Sequence, residues 1–209
     1  MYSQLIEKLS ERLTMALPSA LAHDAMRAIP VGDVTPSFRH SLPPKPGSVL
    51  ILLYEDMGRI KFPLIRRQEY VGAHSGQISL PGGKADPGEN AIDTALREAQ
   101  EEIGVDPGTV NVIGRLTEFN VVVSNILVTP VVASVATTPV FTPDQYEVHS
   151  IVYADLEDLI RDDAIQTEEI IAAGRYRLQA PHFKVQGHIV WGATAMMLNE
   201  LRVVVKEIL

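Results

Sequence analysis

The chain has 209 residues, 46% of them hydrophobic, which suffices for one compact domain with a core of its own. Its formal net charge of −8 argues against sequence-independent nucleic-acid binding, and the lack of any cysteine excludes disulfides, thiolate nucleophiles and zinc–thiolate centres. No run approaches about 18 uninterrupted apolar residues, so no membrane-spanning helix is expected, and the mixed-charge N-terminus lacks the apolar run of a secretory signal; a cytoplasmic protein is expected. In chain order, residues 1–28 read as one or two short helices, with Leu5, Leu9 and Leu13 at i,i+4 spacing. The Pro-rich stretch Ser41–Gly47 closes this N-terminal arm (1–44) and introduces the main domain (45–209). Ser48–Tyr54 and Ile60–Arg66 read as strands joined by a turn at Asp56-Met57-Gly58, with Pro63 placing part of the second at an edge or bulge.

A helix follows over Ala91–Ile103. Asn90 is positioned to cap it, Asp93 to complete a capping box, and Gly104 to stop it in a left-handed conformation. Beyond it, Thr109–Leu116, Leu127–Val135 and Val148–Tyr153 read as strands, and Ala154–Arg161 as a short acidic helix. Val185–Val190 is a last strand candidate. Gly192–Leu209 reads as a long helix burying Met196, Met197, Leu201 and Val204. Periodicity assigns the chain to the α/β class, with strands on both sides of a central helix.

The chemistry lies between Gly83 and Val105. Gly83, Glu89, Arg97, Glu98, Glu101, Glu102 and Gly104 hold fixed spacings, a combination that average residue usage produces about once in 10^8 starting positions. On the helix, Ile92, Leu96, Ala99 and Ile103 form an apolar stripe, while Glu98, Glu101 and Glu102 share another face. No Lys or Arg follows these glutamates at i+4. Three adjacent carboxylates repel one another unless cations neutralise them, so the face is read as a metal site and not as a solvated surface.

This stretch resembles the signature of the Nudix hydrolase family without gap or substitution. The resemblance implies an α/β/α sandwich with a mixed sheet and a central motif helix, and a hydrolase of diphosphate linkages that uses Mg2+ or Mn2+. By motif correspondence Glu98 and Glu102 are the principal metal ligands. Glu101 is a further ligand or the group that activates water, and the Gly83 carbonyl is another candidate ligand. Arg97 is assigned to orienting the glutamates, with Glu89 as its partner. Glu147 is a second candidate base.

The preceding residues resemble the coenzyme A diphosphatase branch of the family. Arg67, Gly76, Pro81, Gly82 and Gly83 match that branch's additional signature, as does the run His74-x-Gly76-Gln77-Ile78; the Gly187–Ala195 run, with Trp191-Gly-Ala-Thr-Ala, looks like the opening of its last helix. Ile65, Gln68, Gly72 and Leu80 depart from the pattern, and Gly72 removes an arginine. Arg66, Arg67, His74 and Lys84 flank the metal loop and are the candidate phosphate contacts. Trp191, His182 and His188 are read as packing residues. The resemblance implies coenzyme A as substrate, 4′-phosphopantetheine and adenosine 3′,5′-bisphosphate as products, and a homodimer by family analogy. Hydrolysis of ADP-ribose, NADH or a dinucleotide polyphosphate is the alternative, although ADP-ribose members often carry a proline where this chain has Asn120. A non-catalytic sensor on the same fold is a further alternative, disfavoured by the retention of all four motif glutamates.

Overall fold

The computed structural model describes residues 2–32, 37–69, 75–172, 174 and 176–209, so His74 and Gly72 fall outside the described residues. The elements, in order, are α1 (Tyr2–Arg12), α2 (Ala20–Asp24), β1 (Ile29–Pro30), β2 (Lys45–Asp56), β3 (Arg59–Arg67), β4 (Ile78–Ser79) and β5 (Gly82–Lys84). Then come α3 (Ala91–Ile103), a 3-10 turn (Pro107–Thr109), β6 (Asn111–Arg115), β7 (Phe119–Val121), β8 (Ile126–Ser134) and β9 (Val148–Asp155). The chain closes with α4 (Leu156–Ile160), β10 (Ile165–Ala172), β11 (Tyr176–Val185), β12 (His188–Trp191) and α5 (Gly192–Lys206).

The apolar run of β2 places it at the centre. Its odd residues Ile51 and Leu53 join a cluster with Leu5 and Leu9 of α1, Leu159 of α4 and Leu198 and Leu201 of α5. Its even residues Leu50, Leu52 and Tyr54 join the opposite cluster, with Ala95, Ala99 and Ile103 of α3. Alternation about a strand buried on both faces therefore builds the α/β/α layering. The main sheet is mixed: β2 pairs in parallel with β8 and antiparallel with β3 and β5, while β6 and β7 pair with β8, and β4 and β9 with β3. The β2–β3 turn has positive φ at both Met57 (49°) and Gly58 (77°), the combination that suits a two-residue hairpin loop.

Pro63 lies within β3 and opposite Tyr153 of β9. On its other side the β2 pairing ends at Lys61 and the β4 pairing begins at Ile65, so the missing N–H falls in a gap between partners. The irregularity expected there occurs instead between Arg66 and Arg67.

The C-terminal third departs most from the sequence reading. The expected strand over 185–190 is a hairpin: β11 turns through Gln186 (φ 50°) and Gly187 (φ 82°) into β12. β10, whose surface-facing Glu168 and Glu169 mask a strand pattern, pairs with the other edge of β11. β9 also runs on through Ala154 to Asp155, which caps α4 by accepting from the Glu157 N–H, so that helix is shorter than expected. The short strands β1 and β7 carry no signal of their own and form by pairing with β11 and β8.

The N-terminal arm shares the main core. Leu5 and Leu9 are buried, each contributing roughly 2 kcal/mol. A Cβ on Gly114 of β6 would lie 2.7 Å from Leu13 Cδ1, so α1 approaches that strand closely. Farther along the arm, the fully buried Glu200 of α5 accepts bonds from the Ser19 N–H (2.9 Å), the Thr117 N–H (3.0 Å) and the Thr117 hydroxyl (2.6 Å) and pairs with His23 Nε2 (3.1 Å). Among the described residues no helix is long and apolar enough to cross a membrane.

Candidate active site

The site forms where β5 is squeezed between β2 and α3. At Gly82, φ is +148° and a Cβ would lie 2.3 Å from the Ser48 carbonyl oxygen; at Gly83 a Cβ would lie 2.4 Å from the Glu98 carboxyl carbon. Only glycine fits at Gly82, whose close neighbours are backbone; a side chain at Gly83 would displace the Glu98 carboxylate. The Gly82 N–H donates to Glu102 Oε2 at 2.8 Å, so the loop and the helix are locked together through a prospective ligand.

α3 forms for local reasons. Asn90 Oδ1 accepts from the Ile92 and Asp93 N–H groups (2.9 and 3.1 Å), satisfying two otherwise free donors. The return half of the expected capping box is absent: Asp93 instead accepts from Asn90 Nδ2 at 2.6 Å. Gly104 ends the helix with φ 72° and ψ 23°.

The three helix glutamates are not equivalent, contrary to the single shared face expected. The side chain of Glu102 is 1% exposed and that of Glu98 15%, whereas that of Glu101 is 60% exposed. Helical rotation carries Glu102 into the cleft behind Gly82, while Glu101 faces water. Arg97, four residues before Glu101, also supplies the neighbouring charge that an i+4 reading misses. Its Nε and Nη2 donate to Glu89 (2.7 and 3.1 Å), its Nη1 to Glu98 and Glu101 (both 2.9 Å), and its Nη2 to the Lys84 carbonyl (3.0 Å). One guanidinium therefore joins three motif glutamates to the β5 backbone.

Electrostatics separate the groups further. Hydrogen bonds from Arg97 and the Asp86 N–H bring the Glu89 carboxyl down to about 2. Burial pushes Glu102 up to about 7; Glu98 and Glu147 add to the shift, while Arg67 and the Gly82 N–H oppose it. Burial also raises Glu98, with Arg97 opposing and Glu101 and Glu147 adding. Burial thus outweighs the nearby arginines at both carboxyls, Glu98 beside the Gly83 backbone and Glu102 bonded to the Gly82 N–H.

That all-oxygen donor set suits a hard divalent cation. Among the described residues no three His, Asp or Glu side chains gather into a ready-made cage. Mg2+ does not need one, since it binds through one or two carboxylates and completes its shell with water and substrate phosphate.

Of the candidate phosphate contacts, Arg67 sits at the site, with Nη2 donating to the Gly82 carbonyl (3.3 Å) and Nη1 3.7 Å from Glu102. Arg66 is turned to Glu69 (2.9 Å). Lys84 is exposed. Trp191 is half-buried ahead of α5 and His182 fully buried. In the 142–147 loop the sequence singled out Glu147 alone, and no local pattern foretold where the loop docks. It docks on the end of α3, with the Thr142 and Asp144 N–H groups donating to the carbonyls of Ile103 and Glu102, and the Gln68 N–H donates to the Glu147 carbonyl. This places the exposed carboxylate of Glu147 near enough to disfavour ionisation of both Glu98 and Glu102.

The chain is similar to known proteins in sequence and in fold. The family model described as NUDIX domain matches residues 44–176, more than half of the chain. Nudix hydrolase 22, chloroplastic, of Arabidopsis thaliana is 36% identical over 78% of this chain and 56% of its own length, so the chain spans about half of that relative. NudL, an uncharacterized Nudix hydrolase of Pectobacterium atrosepticum, is 35% identical over 69% of this chain and 74% of its own. The crystal structure of the Nudix hydrolase RenU of M. smegmatis superimposes with a TM-score of 0.56, covering 80% of this chain and 89% of that one at 17% identity, a likeness of fold. By sequence match and by architecture, the chain belongs to the Nudix family.

Proposed function

We propose that the protein is a metal-dependent diphosphatase whose substrate is coenzyme A or a derivative of it. The observation carrying this reading is the pair of carboxylates set against the Gly82-Gly83 backbone, Glu102 fully buried and Glu98 partly buried. When bound there, Mg2+ or Mn2+ would neutralise the diphosphate oxygens and acidify a water. Glu98, Glu102 and the Gly83 carbonyl would hold it, with Glu101 as a further ligand or as a base. Arg97 keeps Glu98 oriented, and Arg67 offers its remaining donors to a phosphate oxygen. Water adds to one phosphorus as the bridging P–O bond breaks. Glu101 or Glu147 accepts the proton of that water, and the leaving phosphate departs as a monoester.

Coenzyme A is favoured over other nucleoside diphosphate derivatives by the Leu64–Gly83 and Gly187–Ala195 resemblances. The products would be 4′-phosphopantetheine and adenosine 3′,5′-bisphosphate. A cytoplasmic homodimer is part of the same reading. A panel of coenzyme A, acyl derivatives, ADP-ribose, NADH and diadenosine polyphosphates, assayed with Mg2+ by product chromatography, tests it. The expected kcat/KM for coenzyme A exceeds the others by at least about tenfold. A preference for ADP-ribose would overturn the substrate assignment, and no Mg2+-dependent turnover of any member would overturn the enzymatic one.

A further inference from the structure

The 142–147 loop, which ends in Glu147, is held from two sides. On one side it closes α3: the Thr142 and Asp144 N–H groups donate to the Ile103 and Glu102 carbonyls, both at 2.9 Å. A Cβ on Gly104 would lie 3.1 Å from Thr142 Cβ, so the glycine that stops the helix also leaves room for the loop. Asp144 then folds the chain back, its Oδ1 accepting from the Tyr146 N–H (2.7 Å) and its carbonyl from the Val148 N–H (2.8 Å). On the other side stands Gln68. Its backbone N–H donates to the Glu147 carbonyl (3.1 Å) and its side-chain Nε2 to the Gln145 carbonyl (2.8 Å), while its own carbonyl accepts from the Gly76 N–H (3.2 Å).

Gln68 directly follows Arg67, whose guanidinium reaches the Gly82 carbonyl and stands 3.7 Å from Glu102. The pairing of β3 with β9 shifts at this point. Arg66 lies opposite Ser150 but Arg67 opposite Val148, so His149 is an extra residue on β9. A bulge of this kind re-aims the chain around it, and here that chain is Glu147 entering β9 beside the metal loop. Among the described residues the Glu147 side chain makes no hydrogen bond or ion pair, so the anchors of its backbone decide where the carboxylate stands. Glu101, by contrast, is tied to Arg97 at 2.9 Å. Gln68 is also a position at which the chain departs from the coenzyme A branch signature, which has a small residue there. A small side chain could not reach the Gln145 carbonyl.

We infer that Gln68 is a positioning residue: it latches the 142–147 loop to the end of β3 and so holds the Glu147 carboxylate at the Glu98–Glu102 pair. The inference rests on the metal site proposed above. Any residue would supply the backbone half of the latch; the side-chain half needs the amide donor of this glutamine. Without that half the loop is fastened securely to α3 alone, and the carboxylate can swing into water with it. Gln68 acts through Glu147 and touches no reacting atom. Its hold favours Glu147, over the Arg97-bound Glu101, as the acceptor of the proton of the attacking water.

The test uses the full 15N-labelled chain with substoichiometric Mn2+ alone. The Gly82 and Glu147 amide resonances are expected to broaden together in the parent chain. Gln68→Met keeps the length of the side chain and loses its donor. There the broadening at Glu147 is expected to fall at least about twofold, because losing an exposed hydrogen bond raises the open population of a loop severalfold, while Gly82 stays as broad. No broadening at Gly82 would sink the metal site and this inference with it. Gly82 broadened with Glu147 unaffected, or with Glu147 alike in both chains, would overturn the latch alone. Turnover of the best substrate in the panel gives a second readout. Gln68→Met is expected to lower kcat about fivefold with KM little changed, and to have no further effect in a chain already carrying Glu147→Gln. Equal losses in the two backgrounds would also overturn the latch, whichever diphosphate the panel selects.

Discussion

Glu102 and Glu200 are helix glutamates with almost no exposure, 1% and 0%, yet their surroundings are opposite. Burial pushes both carboxyls up. At Glu200 the bonds from His23 and Thr117 outweigh that, and the group ends below its ordinary value. At Glu102 there is a single backbone donor and an arginine at 3.7 Å, against the charges of Glu98 and Glu147, and the group ends at about 7. A buried carboxylate with its acceptors filled holds structure together. One left short of donors is unfavourable by itself and is retained where a ligand supplies the missing charge. The difference is the one expected between a joint in the fold and the metal site proposed at Glu102.

Exchanging each carboxylate for its amide sharpens the contrast. Glu102→Gln is expected to lower Mg2+-dependent turnover about 10^3-fold, the scale of losing one preorganised electrostatic contact, while the thermal midpoint holds or rises. Near-normal turnover at saturating Mg2+ would remove Glu102 from the ligand set. Glu200→Gln should do the reverse and cost about 3 kcal/mol of stability, read as a lower urea midpoint, because its amide hydrogens would face donors. An unchanged midpoint would show that Glu200 is not a joint.

The two groups also bend stability with pH in opposite senses. The folded-state value of Glu102 is raised from 4.5 to about 7, so the folded chain binds the extra proton. Metal-free protein should therefore lose stability as pH rises through that window, by an amount on the order of 3 kcal/mol, and Mg2+ should restore it. Glu200, shifted down, contributes stability above its ordinary value that disappears as pH falls through the folded one. Urea midpoints from pH 4 to 8, with and without Mg2+ and in both amide variants, would resolve the slopes; a metal-free slope that survives Glu102→Gln would assign it elsewhere. The smallest effect is expected for Arg97→Lys, which keeps the charge but loses the fork joining Glu89, Glu98 and Glu101: about 10- to 100-fold in kcat, with KM little changed.

Much of the site was legible without coordinates because its parts are local. The Asn90 cap, the Gly104 stop and the Arg97–Glu89 pair all lie within one helix and the loop before it, where spacing alone sets contact. The Met57-Gly58 turn was legible for the same reason. Spacing misled at the glutamate face, because which of Glu98, Glu101 and Glu102 turns inward depends on the position of β5, a separate element.

By itself, then, the amino-acid order determined the α/β class, the motif helix and its caps, the central β2 strand and the set of carboxylates around Arg97, since each follows from repeat period or near-neighbour spacing. Tertiary structure alone decided that Glu102 is sealed behind Gly82, that β10, β11 and β12 form a second sheet, and that Glu200 binds the arm to α5 and Thr117. Those features join residues that are distant in sequence, up to 181 positions apart for Ser19 and Glu200, and no local pattern encodes the partner across such a gap.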